Sequence, residues 1–362
     1  MPERNTMKKI QELQQVKGDA YDYYIAGNED TDLFEKIFLV DDIVEEICKP
    51  DKYFLIGEKG SGKTAYSVYM SKSDKINSFC SISLVENTLY QRFLNMKRQK
   101  ALELSSFKDV WINLIYLILA EKIRKEYGET FFSSMKYKQL SKAIDVFYSD
   151  AFKPEFVNAF EFVDNASASI NSMMKQGLFS TGTKASAETS QKYVEQSFQI
   201  SLLKIRDGFE KAFMSVNLKK PTILFVDGID ARPRDIDNEQ YFECLVGLVN
   251  AVLEMNQSFL KEKQIKIMLL IRPDIMYKMP VHNMNQKLRN NSVLLNWVTS
   301  YRKYIDSKLF KIADDYFMKQ QDYSYELGEC WNYYFPYKVE YQEKWKAPDN
   351  PFVEFLRYSL YK

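Results

Sequence analysis

Lys63 and Thr64 close the run Gly57-Glu58-Lys59-Gly60-Ser61-Gly62-Lys63-Thr64, which matches G-x-x-x-x-G-K-[ST] at every fixed position. Each residue type has a task in that pattern. Gly57, Gly60 and Gly62 let the backbone turn tightly and aim its N–H groups at a phosphate, an approach that a Cβ would obstruct. The Lys63 ammonium can reach β- and γ-phosphates, and the Thr64 hydroxyl is a ligand for Mg²⁺. Ala65 follows inside a helix whose amino end favours an anion. Tyr53-Phe54-Leu55-Ile56, just before the run, reads as a buried parallel strand. Strand, loop and helix therefore occur in the order this chemistry requires, and the run predicts a nucleotide phosphate site.

A second acidic position completes that chemistry. Pro221 to Val226 is an apolar strand that delivers Asp227 to the carboxyl edge of a sheet, where it can hold Mg²⁺ through water. Asp230, at the same edge, is the first candidate to orient an attacking water, with Glu86 and Glu239 as alternatives. Ile265 to Ile271 predicts a further strand that ends on Arg272. An arginine there can point at a γ-phosphate, a role preferred here over an ion pair with Asp274. Arg232 and Arg234 could stabilise phosphate charge or sit in an exposed turn.

The elements that must position these residues can be read from apolar spacing. Residues 1–52 predict a helical lead-in, with Leu33, Phe34, Ile37, Phe38, Val40, Ile43, Val44 and Ile47 at helical spacing. Phe79 to Val85 predicts a second strand and Val293 to Trp297 a short fifth one. A helical block over 105–165 separates the second strand from the third, as an insertion or a lid. Residues 166–192, rich in Ser and Thr, predict a mobile loop. Long helices are expected over Lys192–Phe213, Asn238–Met255 and Val298–Met318. From Gln320 onward Trp331, Tyr333, Tyr334, Phe335, Tyr337, Tyr341 and Trp345 crowd together, as the core of a small helical lid or as a surface for bases or partners. Residues 351–362 predict an amphipathic helix with no stop signal after it. The domains expected are a lead-in over 1–52, a nucleotide-binding core over 53–320 and an aromatic helical region over 321–362.

Composition narrows the classes. The chain has 362 residues, 46% hydrophobic and 15% aromatic, enough for a large core. Fifty basic residues against 49 acidic ones leave a net charge of +1, so no global field draws it to nucleic acid or a membrane. Cys48, Cys80, Cys244 and Cys330 form no C-x-x-C pair and fit reduced thiols in the cytoplasm. No secretory signal is visible in Met1–Lys9, and Val110–Ala120 is too short to span a bilayer. His282 is the only histidine, in a Pro-Val-His-Asn loop, which leaves no Ser-His-Asp arrangement with a G-x-S-x-G elbow.

Together, Phe54 to Ala65, Phe225-Val226-Asp227-Gly228-Ile229-Asp230 and Leu270-Ile271-Arg272-Pro273-Asp274 resemble ATPases with an additional strand between the two phosphate-site motifs. That group includes the AAA+, STAND and KAP-type NTPases, and the combination looks like a poorly characterised bacterial family associated with phage defence or DNA-related stress. The resemblance covers about residues 30–320. It implies an α/β fold with a parallel sheet in the order 5-1-4-3-2 and helices on both faces. It also implies ATP and Mg²⁺ as ligands, Asp227 as the second-motif acid, Arg272 as a sensor, and an oligomer or effector protein as partner. Gly228 departs from the pattern, since many members carry Glu there to orient the water. The function expected is an ATP-hydrolysing switch or motor. The alternative is a regulatory module that hydrolyses ATP only with a partner or nucleic acid; a small-molecule kinase, lacking an Arg-rich lid, is disfavoured. No N-K-x-D guanine-reading motif is present, so adenine is the expected base.

Overall fold

The structure, a computed structural model, describes residues 13–16, 18–25, 28–85, 107–132, 137–150, 202–230, 238–279, 288–297, 301–321, 324–339 and 350–359. The expectations for Glu86, the 166–192 loop, Arg232, Arg234, His282, Tyr341 and Trp345 lie outside these residues. The chain divides into two compact units. One comprises Glu46–Lys59 and Asp74–Leu294; the other comprises Met1–Glu45, Gly60–Ser73 and Leu295–Lys362.

The first unit is built on a five-stranded sheet of β1 (Phe54–Gly57), β2 (Phe79–Leu84), β3 (Thr222–Asp227), β4 (Ile265–Ile271) and β5 (Ser292–Leu295). The order is β2-β3-β4-β1-β5, which reads 5-1-4-3-2 when counted from the β5 edge. The pairs β2/β3, β3/β4 and β4/β1 are parallel. Every residue of β1, β3 and β4 is buried, which is why these strands read as unbroken apolar runs and not as alternating ones.

Helices pack against this sheet in one hydrophobic core. Helix Phe107–Phe132 lies against helix Asn238–Gln257, and its residues from Val110 to Ala120 are buried. A Cβ on Gly247 would come within 2.6 Å of the Phe107 Cβ, so glycine permits this close approach of the two helices. The Trp111 indole donates to the Cys244 carbonyl at 3.1 Å across the same contact. This helix of the 105–165 block is an element of that core. Asn256 ties helix to sheet, accepting from the Ile267 N–H at 2.9 Å and donating to the Ile267 carbonyl at 2.7 Å. The single charge on β4, Lys266, donates to the Ile47 carbonyl and, at 2.8 Å, to that of Lys49. It thereby satisfies carbonyls at the end of helix Asp42–Cys48. Burial pushes the Lys266 ammonium down to about 8.

The second unit is helical and aromatic. Phe310, Trp331, Phe352 and Leu356 form its cluster, drawn from helices Lys308–Met318, Glu329–Tyr334 and Pro351–Ser359. Asp314, fully buried, accepts from the backbone N–H groups of Gly328 at 2.6 Å and Trp331 at 2.8 Å and so caps the short helix.

Two expected helices are broken. The lead-in run splits into Asn28–Ile37 and Asp42–Cys48, because the Asp41 side chain accepts from the Ile43 N–H at 3.1 Å and starts a new helix. The helix expected over Val298–Met318 is a 3₁₀ segment, Tyr301–Asp306, kinked at Lys303, followed by Lys308–Met318. There Ser307 accepts from the Phe310 N–H at 3.1 Å and caps the second piece. Among the described residues no helix is long and apolar enough to cross a membrane. All four cysteines are free thiols, with Cys48 exposed and burial pushing Cys80 up to about 12.

Candidate nucleotide-binding site

In the sheet unit, register brings three of the sequence candidates to one edge. Ile56 pairs with Ile271 and Val226 with Leu269, so Gly57, Arg272 and Asp227 all lie at the carboxyl ends of their strands. That is the edge where open parallel sheets bind ligands. Asp227 is buried, and its Oδ1 accepts from the Gly228 N–H at 2.7 Å. The turn beyond it is anchored by the Tyr241 hydroxyl, which donates to the Ile229 carbonyl at 2.6 Å. Asp230 sits in this turn with its Oδ1 buried. Glu239, by contrast, is exposed in the first turn of helix Asn238–Gln257.

Gly228 has φ +86°, and a Cβ there would stand 2.9 Å from the Val85 carbonyl oxygen. The cause is the β2/β3 ladder, which continues past the strand ends through a bond from the Val85 N–H to the Asp227 carbonyl at 2.8 Å. Glutamate at this position would need both a left-handed backbone and space that Val85 occupies. Glycine at position 228 therefore has a backbone cause.

Arg272 occupies the N-cap position of helix Pro273–Lys278. Its Nε and Nη2 donate to Asp274 at 3.0 and 2.8 Å, a two-pronged pair within one turn. The ion pair, set aside at the sequence level in favour of a phosphate role, is thus present. It engages only part of the guanidinium's fork of donors.

Beyond β1 the chain runs through Glu58, Lys59 and Gly60, all exposed, into helix Lys63–Lys72. Gly60 has φ +79° and Gly62 φ +87°, a backbone that side-chain-bearing residues rarely adopt. Gly62 is the N-cap and offers no side chain to the first-turn N–H groups, which suits an anion at that end. Lys63 is buried, while Thr64 and Ala65 are half-buried. The Ser61 hydroxyl is buried and has no hydrogen-bond partner among the described residues. An orphaned hydroxyl inside a left-handed glycine loop fits a ligand that brings acceptor oxygens. Thr64 and Asp227, a hydroxyl and a carboxylate, are the oxygen donors that Mg²⁺ prefers.

Contacts that sequence reasoning did not find brace this loop. The Trp297 indole N–H donates to the Ser61 carbonyl at 2.8 Å. The Tyr66 hydroxyl donates to Asp41 at 3.0 Å, and Lys308 bridges Asp41 at 2.7 Å and Asp42 at 2.9 Å. Burial, with Asp41 beside it, pushes the Tyr66 phenol far up, so it stays a donor at every physiological pH. The hydrogen bond from Lys308, then its charge, holds the Asp42 carboxyl below its ordinary range. Trp297 and Ser61 stand 236 residues apart, and nothing local marks their pairing. No protein-family model matches this chain, and neither a curated protein nor a solved structure matches it.

Proposed function

We propose that this chain is a P-loop ATPase that binds ATP with Mg²⁺ on Gly57–Thr64 and uses hydrolysis to switch between states. The observation that carries the reading is the loop: left-handed Gly60 and Gly62 lead into a helix that opens at buried Lys63, beside an orphaned Ser61 hydroxyl. In this reading the backbone of Gly57, Glu58, Lys59, Gly60, Ser61, Gly62 and Ala65 cradles the phosphates, and Lys63 neutralises their charge. Thr64 and Asp227 are the residues that would hold Mg²⁺, which when bound offsets charge on the phosphate oxygens. Asp230 orients the attacking water, and Arg272 serves the γ-phosphate with the guanidinium donors its pair with Asp274 leaves over. The parallel sheet with Gly57, Asp227 and Arg272 at one edge supports this assignment.

Gly228 favours a second reading, in which ATP is held but turned over only with a protein partner or nucleic acid. No carboxylate can follow Asp227 on this backbone, so a water-orienting acid would come from elsewhere.

ATP binding and phosphate release with Mg²⁺, with and without DNA, separate the two. In an autonomous ATPase, turnover falls at least about 100-fold in Lys63→Ala and in Asp227→Ala. Tight binding without turnover, abolished in Lys63→Ala, selects the second reading. Wild-type turnover that survives both substitutions overturns the site.

A further inference from the structure

Beside the phosphate loop, and wholly inside the aromatic unit, lies a cavity of 740 Å³. Gly62, Ala65 and Tyr66 form part of its wall, with Trp297, Phe38 and Phe317 among the rings around them. The volume is in the range of small-molecule pockets. Its lining carries no charge, amide or aliphatic hydroxyl on any side chain. The polar tips that do reach it are mostly committed. Tyr66 donates to Asp41, Trp297 to the Ser61 carbonyl, Tyr316 to the Gln14 carbonyl at 2.7 Å and Trp331 to Asn350 at 3.1 Å.

We infer, building on the nucleotide reading above, that this cavity takes the purine ring by stacking and shape alone, without reading its hydrogen-bonding edge. Trp297 joins the two halves of the ligand. Its indole N–H holds the loop at Ser61, its Cζ2 lies 4.0 Å from where a Gly62 Cβ would be, and its ring lines the cavity. Aromatic stacking tolerates any base because every base has a π-face. The binding site therefore takes purine nucleoside triphosphates as a class, GTP as well as ATP, and favours the larger ring over pyrimidines.

Calorimetric titration of the full chain with ATP, GTP, UTP and inorganic tripolyphosphate, all with Mg²⁺, tests this. ATP and GTP should bind within about threefold of each other, UTP several-fold more weakly, and tripolyphosphate weakest, a spread of roughly 10- to 100-fold. In Trp297→Ala the ratio of ATP to tripolyphosphate affinity should fall about tenfold, while Trp297→Phe, which keeps a ring, should retain most of it. Using the ratio removes any effect of losing the bond to Ser61. A preference for ATP over GTP beyond about 30-fold overturns stacking-only recognition, and needs no variant. An unchanged ratio in Trp297→Ala puts the base elsewhere. If tripolyphosphate binds, Lys63→Ala abolishes it and no base adds affinity, the cavity proposal falls while the phosphate site stands. If neither ATP nor tripolyphosphate binds, the nucleotide reading itself falls.

Discussion

Two hydrophobic clusters among the described residues are filled in different ways. Around the sheet, aliphatic strands and helix Phe107–Phe132 interlock until residue after residue is fully buried. In the aromatic unit, rings meet edge to face or in tilted stacks, as Phe310 does with Phe352 at 5.0 Å and Trp331 with Phe335 at 4.3 Å. Flat rings leave gaps that branched aliphatic chains do not, and 740 Å³ stays open. The contrast teaches a difference in packing: one cluster is filled and carries Asp227 at the end of one of its strands, and the other leaves space open.

The sharpest way to break that contrast is to truncate a ring in each cluster. Phe209→Ala, fully buried in the cluster around the sheet, should cost about 3–5 kcal/mol, read as a drop in the denaturant midpoint. Phe317→Ala, on the cavity wall, should cost roughly half of that or less, because it widens a space that already exists. Equal losses would mean that the two clusters are packed alike.

Gly228→Glu comes next. It should destabilise the sheet edge by at least about 2 kcal/mol through its left-handed backbone and the overlap with Val85, and it should not raise phosphate release. A stable, faster variant would refute the steric account. In the aromatic unit, Asp314→Ala should cost about 1–3 kcal/mol, since two buried N–H groups lose their acceptor.

Smaller effects sharpen the comparison at its margins. The Lys266 ammonium titrates near 8 when folded, against an ordinary 10.5. Between those values the unfolded chain keeps a proton that the folded chain has released, so stability should rise with pH across that window. Lys266→Met should flatten that rise, measured by denaturation at several pH values. Lys211→Ala removes an exposed pair with Asp207 and should change stability by less than about 0.5 kcal/mol.

Much of this was legible from local chemistry. The glycine loop could be read because glycine spacing is itself the cause of the left-handed turns at Gly60 and Gly62. The strands could be read because burial on both faces demands continuous apolar runs, and β4 begins and ends where its run does. Helix boundaries were less legible. Asp41 and Ser307 look like ordinary polar residues within apolar spacing until their side chains are seen to cap new helices.

By itself, then, the amino-acid sequence determined the glycine loop, the apolar strands and the acid that ends β3, because each depends on residues adjacent in the chain. Only the tertiary structure decided what a neighbour distant in sequence imposes. Val85 crowds Gly228, Trp297 holds Ser61, and rings from well-separated segments enclose an open cavity. Most of these are contacts whose partners no local pattern names, because their geometry is set by packing between elements and not by the conformational preferences of either segment alone.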